Sequence, residues 1–289
     1  MASCNDLIAA LERSCPPPLA EDWDNVGFLL GERQKEVRRV MTCLTLSFET
    51  VDEAIAEKAD LVISHHPFPF RAEKRWTTET PTGSILLRLV RGDVAVFSPH
   101  TAHDSAFWGV NRQLAKLFGL VDVKPLNSGT LEASPSMLEG ASSQTKSLLS
   151  SELGAVLGSG RIGSFSEPIR LSTFIRQVSQ KLRQPTLTYV GDPNREVRRL
   201  AIGCGAADDF IVAAAHAGAD VLLLGEARFH GALLASELAM SLVLPGHYAT
   251  ERFAMETMAE RLAALFPDLT VWASRTECDP IRFWPEPED

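Results

Sequence analysis

The chain has 289 residues, of which 45% are hydrophobic and 22% charged, and its net charge is −9. That length has room for two modest domains, and the composition is that of a globular protein. The acidic balance argues against nucleic acid as a partner, and no apolar run is long enough to span a bilayer. The first six residues lack the basic stretch of a signal peptide. The five cysteines are widely spaced with no C-x-x-C pair, which argues against a disulfide framework and a thiolate zinc site and points to the cytoplasm.

In chain order, residues 5–14 read as a helix with Leu7, Ile8 and Leu11 on one face, ended by Cys15-Pro-Pro-Pro18. Trp23, flanked by Asp22 and Asp24, reads as an aromatic anchor with capping carboxylates. A strand is expected at 39–46, a helix at 49–59 and a buried strand at 60–64, which together form a βαβ unit. The last strand runs into His65, His66 and Pro67, and Pro67 cannot donate to a ladder. Phe68 and Phe70 are expected to pack a core edge. Arg71, Lys74 and Arg75 form a local basic cluster. A helix at 85–91 and a strand at 93–98 come next, and the strand delivers His100, His103 and Asp104. Trp108 to Asn111 opens a helix that runs to Phe118.

Residues 127–159 are rich in Ser, Gly and short polar side chains and read as a loose connector with one short helix near 146–153. Beyond it, strands are expected at 161–166 and 186–190 around a helix at 172–183, then a strand at 198–203. Gly203-Cys-Gly205 resembles half of a dinucleotide fingerprint. The third glycine of that pattern is Asp208 here, so a tight strand-to-helix turn explains it better. A helix at 209–217 and a strand at 220–224 lead to Glu226 and His230. The strand at 241–244 leads to His247 and Glu251, and a helix continues to about Leu265. Their spacing of four puts His247 and Glu251 on one helical face. The tail from Thr270 adds a strand.

Six of the seven histidines lie at 65/66, 100/103, 230 and 247, each place just after an expected strand. Taken singly, each is an ordinary cap or surface residue. Together they mark strand carboxyl ends, where open α/β sheets gather their ligands. Imidazole and carboxylate donors suit divalent zinc, manganese, iron and nickel alike. The expected inner set is His65, His66, Asp104, His247 and Glu251. Three imidazoles with two carboxylates can hold two divalent ions, which together can lower the pKa of a shared water. His100, His103, Glu226 and His230 are then candidates for support or proton transfer, with Glu226, His100 and His230 as the candidate catalytic residues.

Several stretches also occur in a telling order. They are Leu19-Ala-Glu-Asp-Trp-Asp-Asn-Val-Gly27, Ser64-His-His-Pro67, Ser98-Pro-His-Thr-Ala-His-Asp104 with Gly109-Val-Asn111, Gly225-Glu-Ala-Arg-Phe-His230, and Gly246-His-Tyr-Ala-Thr-Glu251. This set resembles the NIF-three-like family (NGG-one-interacting factor three), often labelled GTP cyclohydrolase I type 2 homologues. The resemblance implies an α/β, NIF-three-like fold of two lobes with mostly parallel or mixed sheets flanked by helices. We divide these as residues 1–127, carrying His65, His66 and Asp104, and residues 128–289, carrying Glu226, His247 and Glu251. It also implies a toroidal homohexamer with two divalent metal ions per subunit. The family's ligand motifs match at His65, His66, Asp104, His247 and Glu251, and His100 matches a further histidine near the metals. Many relatives have an acidic residue where this chain has Thr45, which puts a supporting or substrate contact there in question. The expected activity is metal-dependent hydrolysis of a nucleotide or other small molecule. The alternative is a non-catalytic metal-binding ring that serves as a scaffold, metallochaperone or regulatory partner.

Overall fold

The structure, a computed structural model, describes residues 2–139 and 154–284. The chain divides into two compact units. The first comprises Met1–Trp108, Glu132–Ala155 and Ala254–Cys278, and the second comprises Gly109–Leu131, Val156–Phe253 and Asp279–Asp289. A single cut at 127/128 does not reproduce this division, because residues 132–155 and 254–278 return to the first unit. His65, His66 and Asp104 do fall in the first unit, and Glu226, His247 and Glu251 in the second.

The first unit is built on a five-stranded sheet in the order Thr270–Ala273, Arg39–Cys43, Leu61–Ser64, Ala95–Ser98, Gly27–Leu30. The first four strands are parallel and the last is antiparallel. Leu61, Val62 and Ile63 are all fully buried, so both faces of the central strand are covered. That is why its sequence is an unbroken aliphatic run rather than an alternation. On one face, Met41, Cys43, Val62 and Val96 pack with Val51 and Ala54 of helix Phe48–Ala56 and Leu89 of helix Pro81–Arg91. Phe68 packs against this core as expected. Phe70 does not, being 53% exposed. Helix Cys4–Ser14 buries Leu7, Ile8 and Leu11 and begins with a capping box between Ser3 and Asp6.

The second unit carries a six-stranded mixed sheet in the order Thr188–Val190, Ser241–Leu244, Val221–Glu226, Glu196–Ala206, Arg161–Arg170, Val121–Lys124. The three strands beginning at Glu196, Val221 and Ser241 are parallel, and the outer pairings are antiparallel. Ala201, Leu222, Leu224 and Leu242 pack with Ile211, Ala214 and Ala235 from the helices Phe210–His216 and Phe229–Glu237. The expected loose connector is more ordered at its ends. Asn127–Glu132 pairs with Val156–Ser159 in a two-stranded sheet, and Pro135–Leu138 is a 3-10 turn. The helix expected near 146–153 lies outside the described residues. The single helix expected after His247 is two, His247–Glu251 and Phe253–Leu265. No helix among the described residues is long and apolar enough to cross a membrane.

Candidate metal-binding residues

In the first unit the parallel ladder continues past the strand and into the histidines. The His65 amide donates to the Cys43 carbonyl and the His66 amide to the Leu44 carbonyl, each at 2.9 Å. Ser98 and Ser64 hydroxyls donate to the carbonyls of His65 and His66 at 2.7 and 2.9 Å. The histidine backbone is therefore held like sheet rather than like loop. Adjacent side chains diverge there, and the two rings sit 5.2 Å apart at 55°.

His100 comes from the end of the neighbouring strand and opens the short helix His100–Ser105. Its φ of +29° is one that a β-carbon disfavours. The reason lies in Asp24. Its Oδ1 takes His100 Nδ1 at 2.7 Å, while its Oδ2 accepts the Thr101 amide at 3.1 Å and the Thr101 hydroxyl at 2.5 Å. Burial pushes the Asp24 carboxyl up, but the hydrogen bonds from His100 and Thr101 outweigh it and hold its pKa below the ordinary value. An ionised carboxylate only accepts, so Nδ1 carries the proton, and in the neutral form of the ring it is Nε2 that presents a lone pair. Asp24 does act as a capping carboxylate, as the sequence suggests. Trp23 is not an anchor. It is 64% exposed and lies tilted to Phe70 at 6.1 Å and edge-on to His100 at 6.0 Å.

Donor atoms of His65, His66 and His100 all lie within 4.8 Å of one another. Asp104 Oδ1 is 3.4 Å from His65 Nε2. Two atoms each about 2.1 Å from one ion at a tetrahedral angle would be roughly 3.4 Å apart, so this spacing suits shared ligation. His103 packs its ring 5.8 Å from that of His65 and is buried behind it. Thr45 has a defined contact as well. Its hydroxyl meets His66 Nδ1 at 2.7 Å, which leaves Nε2 of that ring as the donor. Glu277 in turn accepts the amides of Leu44 and Thr45 at 2.8 and 2.7 Å, and so fixes the loop that carries Thr45.

In the second unit, the spacing of four places His247 Nε2 3.0 Å from Glu251 Oε2. That distance serves a protonated imidazole on a carboxylate, or two ligands of one ion. His247 Nδ1 meets Glu226 Oε1 at 2.9 Å. Burial lowers the His247 pKa, but the hydrogen bonds and charges of Glu251 and Glu226 outweigh it and push it up to about 9. Two carboxylates against one imidazole make this a place that favours positive charge. Glu226 orients an imidazole, as carboxylates behind metal-binding histidines do.

His230 is set apart. It is exposed, its ring contacts that of Phe229, and it belongs to no donor group of three among the described residues. Arg228 is held by Asp208 through its Nε at 2.8 Å. Asp24, Thr45 and Glu277 are the supporting residues that sequence reasoning missed or undervalued. Only the Asp-Trp-Asp stretch hinted at one of them.

The Duf34/NIF3 (NGG1p interacting factor 3) family model matches residues 2–280. A Clostridium perfringens relative named "GTP cyclohydrolase 1 type 2 homolog" is 28% identical, over 96% of this chain and 98% of its own. A Streptomyces coelicolor protein of the same name is 30% identical, over 97% of this chain and 94% of its own. Among solved structures, a Bacillus cereus protein related to NIF3 superposes with a TM-score of 0.85 at 24% identity, covering 98% of this chain and 99% of that one. A Staphylococcus aureus protein superposes at 0.82 with 27% identity, over 97% and 99%. With a match across almost its whole length and an α/β fold shared with these structures, the chain belongs to the NIF3 family.

Proposed function

We propose that His65, His66 and Asp104, together with His247 and Glu251, hold two divalent metal ions, and that the protein is a metal-dependent hydrolase. The observation that carries this reading is the first unit's donor group. Three imidazoles and a carboxylate converge from two strand ends, and two of the rings are fixed from behind by Asp24 and Thr45. Metal-binding histidines typically have such contacts from a carboxylate or other acceptor behind the ring. The donors are nitrogen and oxygen, which fits zinc, manganese, iron or nickel. Bound there, the ions would supply Lewis-acid activation of water and stabilisation of developing negative charge.

The chain's own residues supply the rest. His100, with its Nδ1 proton committed to Asp24, offers Nε2 to accept a proton from water or to complete the donor set. Glu226 holds His247 in one orientation. The names of the relatives make GTP the first substrate to screen. Alongside this reading stand the homohexamer implied by the resemblance and the cytoplasmic location expected from the cysteine pattern.

The test is metal content per chain on freshly purified protein, with the His65→Ala/Glu251→Ala double variant as control. About two ions per wild-type chain, lost in the control, support the site. No uptake of zinc, manganese, iron or nickel would sink it. Asp104→Ala should lose both metal and turnover, and full activity in a metal-free Asp104→Ala protein would refute the hydrolase mechanism. Tight metal binding with no turnover on any nucleotide or ester would favour the non-catalytic role.

A further inference from the structure

Gly203-Cys-Gly205 is neither a dinucleotide loop nor a plain turn. It is a bulge. The parallel register between Glu196–Ala206 and Val221–Glu226 runs from Leu200 opposite Val221 to Gly203 opposite Leu224, then shifts and resumes with Ala206 opposite Glu226. Cys204 and Gly205 thus stand against the single residue Gly225. Gly205 has φ +63°, in the left-handed region that glycine enters freely. Bulges take amides out of the ladder and re-aim the side chains around them.

Both displaced amides find side chains. Cys204 N donates to Oδ1 of buried Asn111 at 2.8 Å, and Gly205 N donates to the Thr250 hydroxyl at 3.0 Å. The Thr250 hydroxyl donates onward to the His247 carbonyl at 2.9 Å. A β-carbon on Gly205 would overlap Glu251 Oε1 and lie 3.1 Å from His247 Nε2. One on Gly225 would lie 2.9 Å from His247 Cα and 2.9 Å from the Thr250 hydroxyl. The helix His247–Glu251 therefore rests on two glycines that lack side chains where its first turn descends.

We propose that the Cys204–Gly205 bulge, tied down by Asn111 and Thr250, is the positioning device for the His247–Glu251 donor pair, and that Gly205 is kept bare because a side chain there would take the carboxylate's place. The proposal rests on the metal-binding reading above. The atom that would have to yield is the end of the Glu251 side chain, so filling the slot costs ligation in addition to the backbone strain that any side chain meets at this φ. Gly218 provides the comparison. It is also left-handed, at φ +75°, but its added β-carbon would meet only the end of Arg199, at 2.9 Å.

The experiment measures zinc affinity and the cobalt(II) absorption spectrum of the full chain, as wild type and as Gly205→Ala, Gly218→Ala, Thr250→Val and Thr250→Ser. Gly205→Ala should weaken one ion by about tenfold or more and alter the cobalt bands, the range seen when ligand supports are removed. Gly218→Ala should leave both readouts unchanged. Thr250→Val should weaken the same ion, and Thr250→Ser should restore it. Wild-type affinity and spectrum in Gly205→Ala overturn the proposal. If Gly205→Ala does not fold, wild-type binding by Thr250→Val overturns it instead. A wild type that takes up no ion overturns the metal-binding reading itself and this proposal with it, so the two failures are told apart.

Discussion

The two donor sets reach rigidity by different routes. His65 and His66 extend a buried parallel ladder, so their backbone is fixed by ladder hydrogen bonds and by the Ser98 and Ser64 hydroxyls. What varies is the support behind each ring, a carboxylate at His100 and a hydroxyl at His66. His247 and Glu251 instead ride on a helix of five residues, too short to hold itself. Its placement depends on a bulge, two bare glycines and the Thr250 hydroxyl. The first set should therefore fail through its supporting side chains, and the second through the shape of its seat.

That contrast can be broken from several directions. Glu53 is expected to have the largest effect, although it lies outside both donor sets. Its carboxylate accepts from Trp272 Nε1, Ser274 Oγ, the amides of Arg275 and Thr276, and Thr276 Oγ1, which ties down the segment that presents Glu277. Glu53→Gln should cost on the order of 2–3 kcal/mol in chemical denaturation. Burial pushes this carboxyl up, and the hydrogen bonds pull its pKa down to about 2, from 4.5 when free. The native state thus binds the proton more weakly than the unfolded chain does. The stabilisation is fully present above pH 4.5 and is lost as pH falls toward 2. An acid melt of wild type that matches Glu53→Gln in that window would contradict this account.

Asp24→Asn should come next, lowering metal affinity or turnover by about 10- to 100-fold, because a single amide oxygen cannot accept from both His100 and Thr101 and the amide nitrogen is set against one of them. Unchanged titrations would mean that His100 needs no such support. Glu226→Gln should matter less. The side chain is half exposed and the amide oxygen can still accept from His247, so metal should stay and the rate fall roughly tenfold. Loss of metal from that variant would place Glu226 among the ligands instead. Thr45→Val should have the smallest effect, a few-fold in affinity, since one neutral hydrogen bond is worth about 1 kcal/mol. A larger loss in Thr45→Val than in Asp24→Asn would invert the ranking of supports within the first set.

Much of the fold is readable in one dimension. The aliphatic runs at 61–63, 221–224 and 242–244 are strands because burial on both faces demands an unbroken run. Helix Leu171–Lys181 buries Leu171, Phe174 and Val178 as its spacing predicts. The histidines come just after strand ends, and His247 and Glu251 meet because four residues make one helical turn. The exposure of Trp23 is not readable in this way. A large aromatic residue is more often buried than displayed, and sequence carries no sign of which face a turn presents.

By itself, then, the amino-acid sequence determined most of the central strands and helices and the residue types at their ends, since periodicity and donor chemistry are local properties, but not the short strands Val121–Lys124, Asn127–Glu132 and Val156–Ser159. Only the tertiary structure decided which groups stand behind them. Asp24 reaches His100 across 76 positions, Glu277 reaches Thr45 across 232, and Asn111 reaches Cys204 across 93. Such partnerships leave no trace in spacing. They exist because backbone amides and ring nitrogens that lack a local partner find one where folding brings an acceptor, from anywhere in the chain.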